Sequence, residues 1–134
     1  MTREIKFRAW SLEEKIMSKP FTLENCCNEC GTYTGTSMAF KHGSLIMQYT
    51  GLKDKNGKEI YEGDILSVKD KEVTGYDEEI GVVTYNSETE PNYGWGWRIE
   101  WLHSTHQALM VILSKTAETK IIGNIHENPE LLTK

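Results

Sequence analysis

The sequence is short of the residues that hold small secreted scaffolds together. Its three cysteines are an odd number and all lie in Cys26-Cys27-Asn28-Glu29-Cys30, so they do not form the spread-out disulfide framework of an extracellular mini-protein. No apolar run approaches the ~18 residues of a membrane span. The stretch Met1-Thr2-Arg3-Glu4-Ile5-Lys6 lacks the apolar core of a secretory signal. The expected location is the cytoplasm, with no membrane partner. Positive charge is also scarce: 15 Lys plus Arg stand against 20 Asp plus Glu, a net −5, which argues against general phosphate binding while leaving room for a local basic face. What is present, 38% hydrophobic and 10% aromatic residues in a chain of 134, excludes a collagenous or wholly disordered chain. It suits one domain over residues 1–134, large enough to bury roughly two thirds of its unfolded surface without disulfides or metal.

Short runs of apolar and polar alternation recur, and no window sustains helical spacing for long, so the chain reads as mainly β. In residues 4–10, Ile5, Phe7 and Ala9 share one parity and Lys6, Arg8 and Trp10 the other. A turn at Ser11-Leu12-Glu13-Glu14-Lys15 before Ile16-Met17 predicts an N-terminal hairpin. Residues 22–43 hold all the cysteines, several glycines and many hydroxyls, and are expected to form a long irregular insert.

Residues 45–51 and 58–68 flank the turn sequence Asp54-Lys55-Asn56-Gly57. A two-residue Asn56-Gly57 loop would set Lys55 opposite Lys58 and Asp54 opposite Glu59, and like charges across a ladder are unfavourable. A three-residue loop instead brings Asp54 to Lys58, Lys53 to Glu59 and Leu52 to Ile60, with Gly57 in the left-handed position of a bulge. The charge pairs, worth ~0.2 to 1 kcal/mol each, favour the longer loop. Asp64, after Glu62-Gly63, reads as a turn residue bonding nearby amides.

Residues 70–79 form a charged excursion and residues 80–85 a strand. Tyr93, Trp95, Trp97, Ile99 and Trp101 then occupy one parity of a half-buried strand. Residues 108–113 and 120–125 are further expected strands, with a short helix over 105–113 as the competitor of the former. At the end, Asn128 is placed to cap a helical turn with Pro129 at its first position and Glu130 near its positive end.

Three segments carry a family resemblance: residues 5–10 (IKFRAW), 47–66 (MQYTGLKDKNGKEIYEGDIL) and 122–132 (IGNIHENPELL). In this order they closely resemble the YopX family of phage and prophage proteins. The motifs reach both ends and the middle of the chain and leave residues 22–43 and 86–118 unfixed. The resemblance implies a mainly β domain built as an SH3-like barrel of antiparallel strands, and homo-oligomerisation. It implies no biochemical activity and brings no catalytic constellation to transfer; a shared fold is not a mechanism.

The candidate chemical motifs yield no site. Cys27-Asn28-Glu29-Cys30 is a C-x-x-C pair that Cys26 and His42 would have to complete around tetrahedral zinc. Adjacent Cys26 and Cys27 diverge in extended chain and a second pair is missing, so free thiols in the insert are the expectation. His103-Ser104-Thr105-His106 lacks the H-E-x-x-H arrangement and reads as surface or partly packed histidines, and His126 needs no metal. Aligning Gly57 with the turn glycine of an EF-hand puts Leu52 and Gly63 where carboxylates are required. Gly94-Trp95-Gly96-Trp97 lacks the third glycine and helix of a dinucleotide fingerprint. No spacing of Ser, His and Asp or of Cys and His identifies a nucleophile. No catalytic, cofactor-binding or metal-binding residue is therefore named, and no cofactor is expected.

The tryptophan stripe has core packing as its default and becomes a partner interface if it is exposed. The first twenty residues carry Arg3, Lys6, Arg8, Lys15 and Lys19 against Glu4, Glu13 and Glu14, a net +2. The expectation is a cytoplasmic, phage-associated, non-enzymatic β domain that works by protein association. Its partners would be copies of itself and a host or phage protein, with Trp10, Trp95 and Trp97 as anchors. The alternatives are a nucleic-acid-binding accessory protein using aromatics beside Arg8 and Arg98, and a small-ligand binder or enzyme whose groups converge only on folding.

Overall fold

A computed structural model describes residues 4–12, 14–22, 45–86, 96–103, 106–109, 112–113 and 118–133. In chain order these form β1 (Phe7–Trp10), β2 (Leu45–Lys53), β3 (Glu59–Tyr61), β4 (Asp64–Val68), the one-turn helix α1 (Lys71–Thr74), β5 (Glu79–Asn86), β6 (Gly96–Trp101), β7 (His106–Ala108), β8 (Thr119–Asn124) and a terminal 3-10 turn (Pro129–Leu132). The fold is mainly β, as the alternation predicts. One sheet has the order β1-β2-β3 and the other β7-β6-β5-β4-β8. Among the described residues the sheets are not closed into a barrel. The insert read at 22–43 lies outside the described residues apart from Thr22, and with it lie Cys26, Cys27, Cys30 and His42.

The chain divides into two compact units, Met1–Gly51 and Leu52–Lys134. In the first, β1 runs antiparallel to β2, with Phe7 opposite Gln48 and Trp10 opposite Leu45. The predicted N-terminal hairpin is present. The chain turns after β1, the Ser11 N–H donates to the Ile16 carbonyl at 2.9 Å, and isolated bridges join Trp10 to Met17 and Phe7 to Phe21. Two hydroxyls stabilise the return by accepting main-chain donors: Ser11 Oγ from Glu14 at 3.0 Å and Ser18 Oγ from Ala9 at 2.9 Å. Buried Ala9 and Phe21, with Phe7 against them, make this unit's apolar centre.

In the second unit the hairpin adopts the three-residue register. The Asp54 N–H donates to the Lys58 carbonyl at 2.9 Å and the Gly57 N–H to the Asp54 carbonyl at 3.0 Å. Gly57 sits at φ 80°, the left-handed position that a side chain would strain. The next turn closes as read from Asp64, whose Oδ2 accepts the Tyr61 N–H at 2.8 Å. From there β4, β5, β6 and β7 form an antiparallel meander, and β8 returns to the open side of β4.

The charged excursion conceals α1. Asp70 caps it by accepting the Glu72 N–H at 3.1 Å, and Gly75 ends it in the left-handed conformation with its N–H on the Lys71 carbonyl. Four residues of helix are too few to show a periodic signal. The strand expected over 108–113 is corrected: β7 stops at Ala108, and Leu109, Ile112 and Leu113 are helical. Leu109 and Ile112 are both fully buried, and a spacing of three puts them on one face of a helix but on opposite faces of a strand. The terminal turn is of the 3-10 kind, and Asn128 does not cap it through its side chain. Its Oδ1 accepts the Asn124 N–H instead, at 3.3 Å.

The main core gathers Ile60, Leu66, Val68, Val83, Ile99, Trp101, Leu109, Ile112 and Ile121. Each of the aliphatic side chains contributes about 1.5–3 kcal/mol by leaving water. Ile99 and Trp101, two members of the aromatic-rich parity of β6, are thus core residues.

Candidate interaction surface

The three tryptophans expected as anchors have different surroundings. Trp10 is buried at the end of β1. Trp97 is half-buried, packs on the main core and meets the exposed ring of Tyr85 edge-on, with centroids 5.0 Å apart. Trp95 lies outside the described residues.

Sequence reading missed a different set. Ile5, Leu12, Ile16, Leu45 and Ile46 are between 42% and 56% exposed, and all belong to the first unit. Main-chain register brings four of them to one end of β1. Leu45 is the partner of Trp10 and Ile46 that of Ala9. Leu12 follows Trp10 by two positions, and Ile16 accepts the Ser11 N–H. The available signal was the consecutive pair Leu45-Ile46: in a strand, neighbours take opposite faces, so both faces carry an aliphatic side chain there. Among the described residues of the second unit, Tyr76, Tyr85 and Ile125 are the exposed large apolar side chains.

Titratable groups meet in one further place. Glu79, at the start of β5, is fully buried. Its Oε1 accepts the Ile80 N–H at 3.0 Å and lies 3.0 Å from His103 Nδ1. The Tyr76 ring covers His103 at 5.4 Å between centroids. A carboxylate that orients an imidazole is half of a hydrolytic arrangement. No group of three or more metal-binding side chains is present among the described residues, and the neighbouring Ser67 hydroxyl donates to Glu78 at 2.5 Å. His106 and Ser104 have no described side chains. His126 donates its N–H to Asn124 Oδ1 at 3.0 Å.

The most heavily bonded carboxylate is structural. Asp54 Oδ1 accepts the N–H groups of Asn56 and Lys58, each at 2.9 Å, while Oδ2 accepts that of Ile121 at 3.0 Å. Burial raises its pKa, but the N–H donors of Ile121, Lys58 and Asn56, with the charge of Lys58, together outweigh burial and hold the carboxyl below its ordinary value. Beside it the Lys55 N–H donates to the Thr119 carbonyl at 2.9 Å, so the hairpin loop covers part of the outer edge of β8.

A protein-family model described as "YopX protein" matches residues 6–133. No curated protein matches the chain. Among solved structures, the crystal structure of protein EF1440 from Enterococcus faecalis is similar, with a TM-score of 0.62 and 29% sequence identity over 98% of this chain and 100% of that chain.

Proposed function

This chain belongs to the YopX family, and we propose that it is a non-enzymatic domain acting by protein association, foremost with copies of itself. The observation that carries the reading is the exposure of Ile5, Leu12, Ile16, Leu45 and Ile46 on one unit. Single exposed aliphatics are ordinary, whereas four of these, Leu12, Ile16, Leu45 and Ile46, lie around one strand end, and such a concentration has the composition of an association surface. Trp97 beside exposed Tyr85 supports a second anchor on the other unit, and Trp95 belongs to the same reading.

The setting we infer is the cytoplasm of a bacterium carrying a phage or prophage, where a host or phage protein is the further partner. An SH3-like barrel is the architecture we infer for the second unit. Its support is the strand order β7-β6-β5-β4-β8, a meander whose last strand returns to the first, as in such barrels.

Sedimentation equilibrium over a range of protein concentrations tests self-association, and affinity capture with nuclease treatment separates protein partners from nucleic-acid bridges. The reading expects a mass that rises with concentration and partners that survive nuclease. A monomer at every concentration, with capture abolished by nuclease, overturns it in favour of nucleic-acid binding.

A further inference from the structure

We propose that the Asn56-Gly57 peptide is a modification site, a place of spontaneous deamidation that the folded hairpin holds shut with Asp54 as its latch. The chemistry is set by neighbours in the sequence. Asn56 is followed directly by a glycine, which puts no Cβ in the way of its own main-chain nitrogen, and asparagine is among the heat-labile side chains. Once the Gly57 nitrogen gives up its proton, it attacks Asn56 Cγ. A carbon–nitrogen bond forms, the bond from Cγ to the amide nitrogen breaks, and that nitrogen leaves as ammonia with the proton. Water, the one co-reactant, then opens the five-membered imide at either carbonyl. One opening turns Asn56 into aspartate. The other makes isoaspartate, whose main chain runs through Cβ and Cγ and is one carbon longer.

Access is not what withholds the reaction. Asn56 and Gly57 are both exposed, and a Cβ built on Gly57 would meet nothing within 4 Å. The main chain withholds it. The Gly57 N–H, which must lose its proton and turn towards Cγ, donates to the Asp54 carbonyl at 3.0 Å. On the other side of the same asparagine, the Asn56 N–H donates to Asp54 Oδ1 at 2.9 Å, and the Lys58 N–H shares that oxygen at 2.9 Å. Both peptide planes flanking the Asn56 Cα are thus fastened to one residue. Asp54 is itself fastened, through Oδ2, to the Ile121 N–H at 3.0 Å. Ring closure needs the Gly57 plane to swing about the Asn56 Cα–C bond, so it waits for the loop to open.

The latch also makes the step one-way. In the isoaspartate product the longer main chain no longer presents the donors of residues 56, 57 and 58 at the spacing that the Asp54 carbonyl and carboxylate accept. The new carboxylate lies near that of Asp54, and like charges repel. A hairpin that stays open long enough to react does not close again in its old form.

Peptide mapping by mass spectrometry, with isoaspartate separated from aspartate by chromatography, follows the reaction at mildly alkaline pH. Asn56 is expected to convert at least about tenfold faster in the chain unfolded in guanidinium chloride than in the folded chain, the population factor of one hydrogen bond to a charged group. Folded Asp54→Ala is expected to convert about tenfold faster than the unmodified folded chain. Asp54→Asn, which keeps an acceptor without the charge, is expected to fall between them. Far-UV circular dichroism checks that each variant is folded. Gly81→Ala lowers overall stability away from the loop and is expected to leave the folded rate unchanged, because opening of the loop is local. The isoaspartate form is expected to unfold at lower urea than Asn56→Asp, which carries the same charge on an unaltered main chain. Equal rates in the folded and unfolded chains, or a folded rate raised as much by Gly81→Ala as by Asp54→Ala, overturn the latch. An unfolded chain in which Asn56 stays intact overturns the site, and an isoaspartate form as stable as Asn56→Asp overturns the one-way step.

Discussion

Asp54 and Ile121, 67 positions apart in the chain, are joined by a hydrogen bond of 3.0 Å from the buried main-chain N–H of Ile121 to the Asp54 carboxylate. The same carboxylate closes the loop from which it projects, so one side chain sets a hairpin and fixes it to the edge of β8. Replacing it orphans three donors at once. Asp54→Ala is expected to cost roughly 2–4 kcal/mol, since hydrogen bonds to charged groups are worth about 1.5–3 kcal/mol each and shared partners do not add fully. Urea unfolding of the two proteins at neutral pH measures it.

Acid should remove this contribution. The folded carboxyl titrates below its ordinary value of 3.8, so its stabilisation is complete above that ordinary value and is lost as pH falls through the depressed one. The difference in stability between the unmodified chain and Asp54→Ala is expected to hold constant from neutral pH down to about 5 and to shrink below about 4. A difference that grows on acidification contradicts the sign.

Glu79 and His103 share a contact but not a degree of burial. The carboxylate is fully buried while the imidazole side chain is 44% exposed. His103→Ala lets water replace the ring and is expected to cost under about 1 kcal/mol. Glu79→Ala strips the Ile80 N–H of its acceptor and opens a hole in packed interior, with an expected cost of about 2–4 kcal/mol. Thermal unfolding of the two variants distinguishes this structural asymmetry from a working pair, whose members would matter alike.

Gly81 faces Trp101 across the β5–β6 ladder. A Cβ there would lie 2.3 Å from Ile99 Cγ2 and 2.9 Å from the Glu100 carbonyl oxygen. One of these neighbours is main chain held in the sheet and the other is core, so neither yields cheaply. Gly81→Ala is expected to destabilise by about 1–3 kcal/mol, visible as a lowered urea midpoint with an unchanged slope.

Much of the sheet was legible because charge and parity act locally. The charges at Asp54 and Lys58 were enough to choose the hairpin register, and the parity of Ile99 and Trp101 was enough to bury them. The turn role of Asp64 was legible for the same reason. Elements too short to show a period, or set by contacts that the local pattern does not encode, were not. Helix α1 is four residues with an ordinary cap, Leu109 and Ile112 are helical because both reach the core, and Asn128 turns from its own helical turn to Asn124. The interaction surface was the least legible part. Tryptophans attract attention by size, yet Trp10 is buried, whereas the exposure of Leu12, Ile16, Leu45 and Ile46 depends on how the chain turns around the end of β1.

The most direct test is the mass of the unmodified chain in solution by sedimentation equilibrium. The chain mass is 15.4 kDa, and the account predicts a weight-average mass that climbs from that value as concentration rises. A mass fixed at 15.4 kDa across the whole range contradicts it.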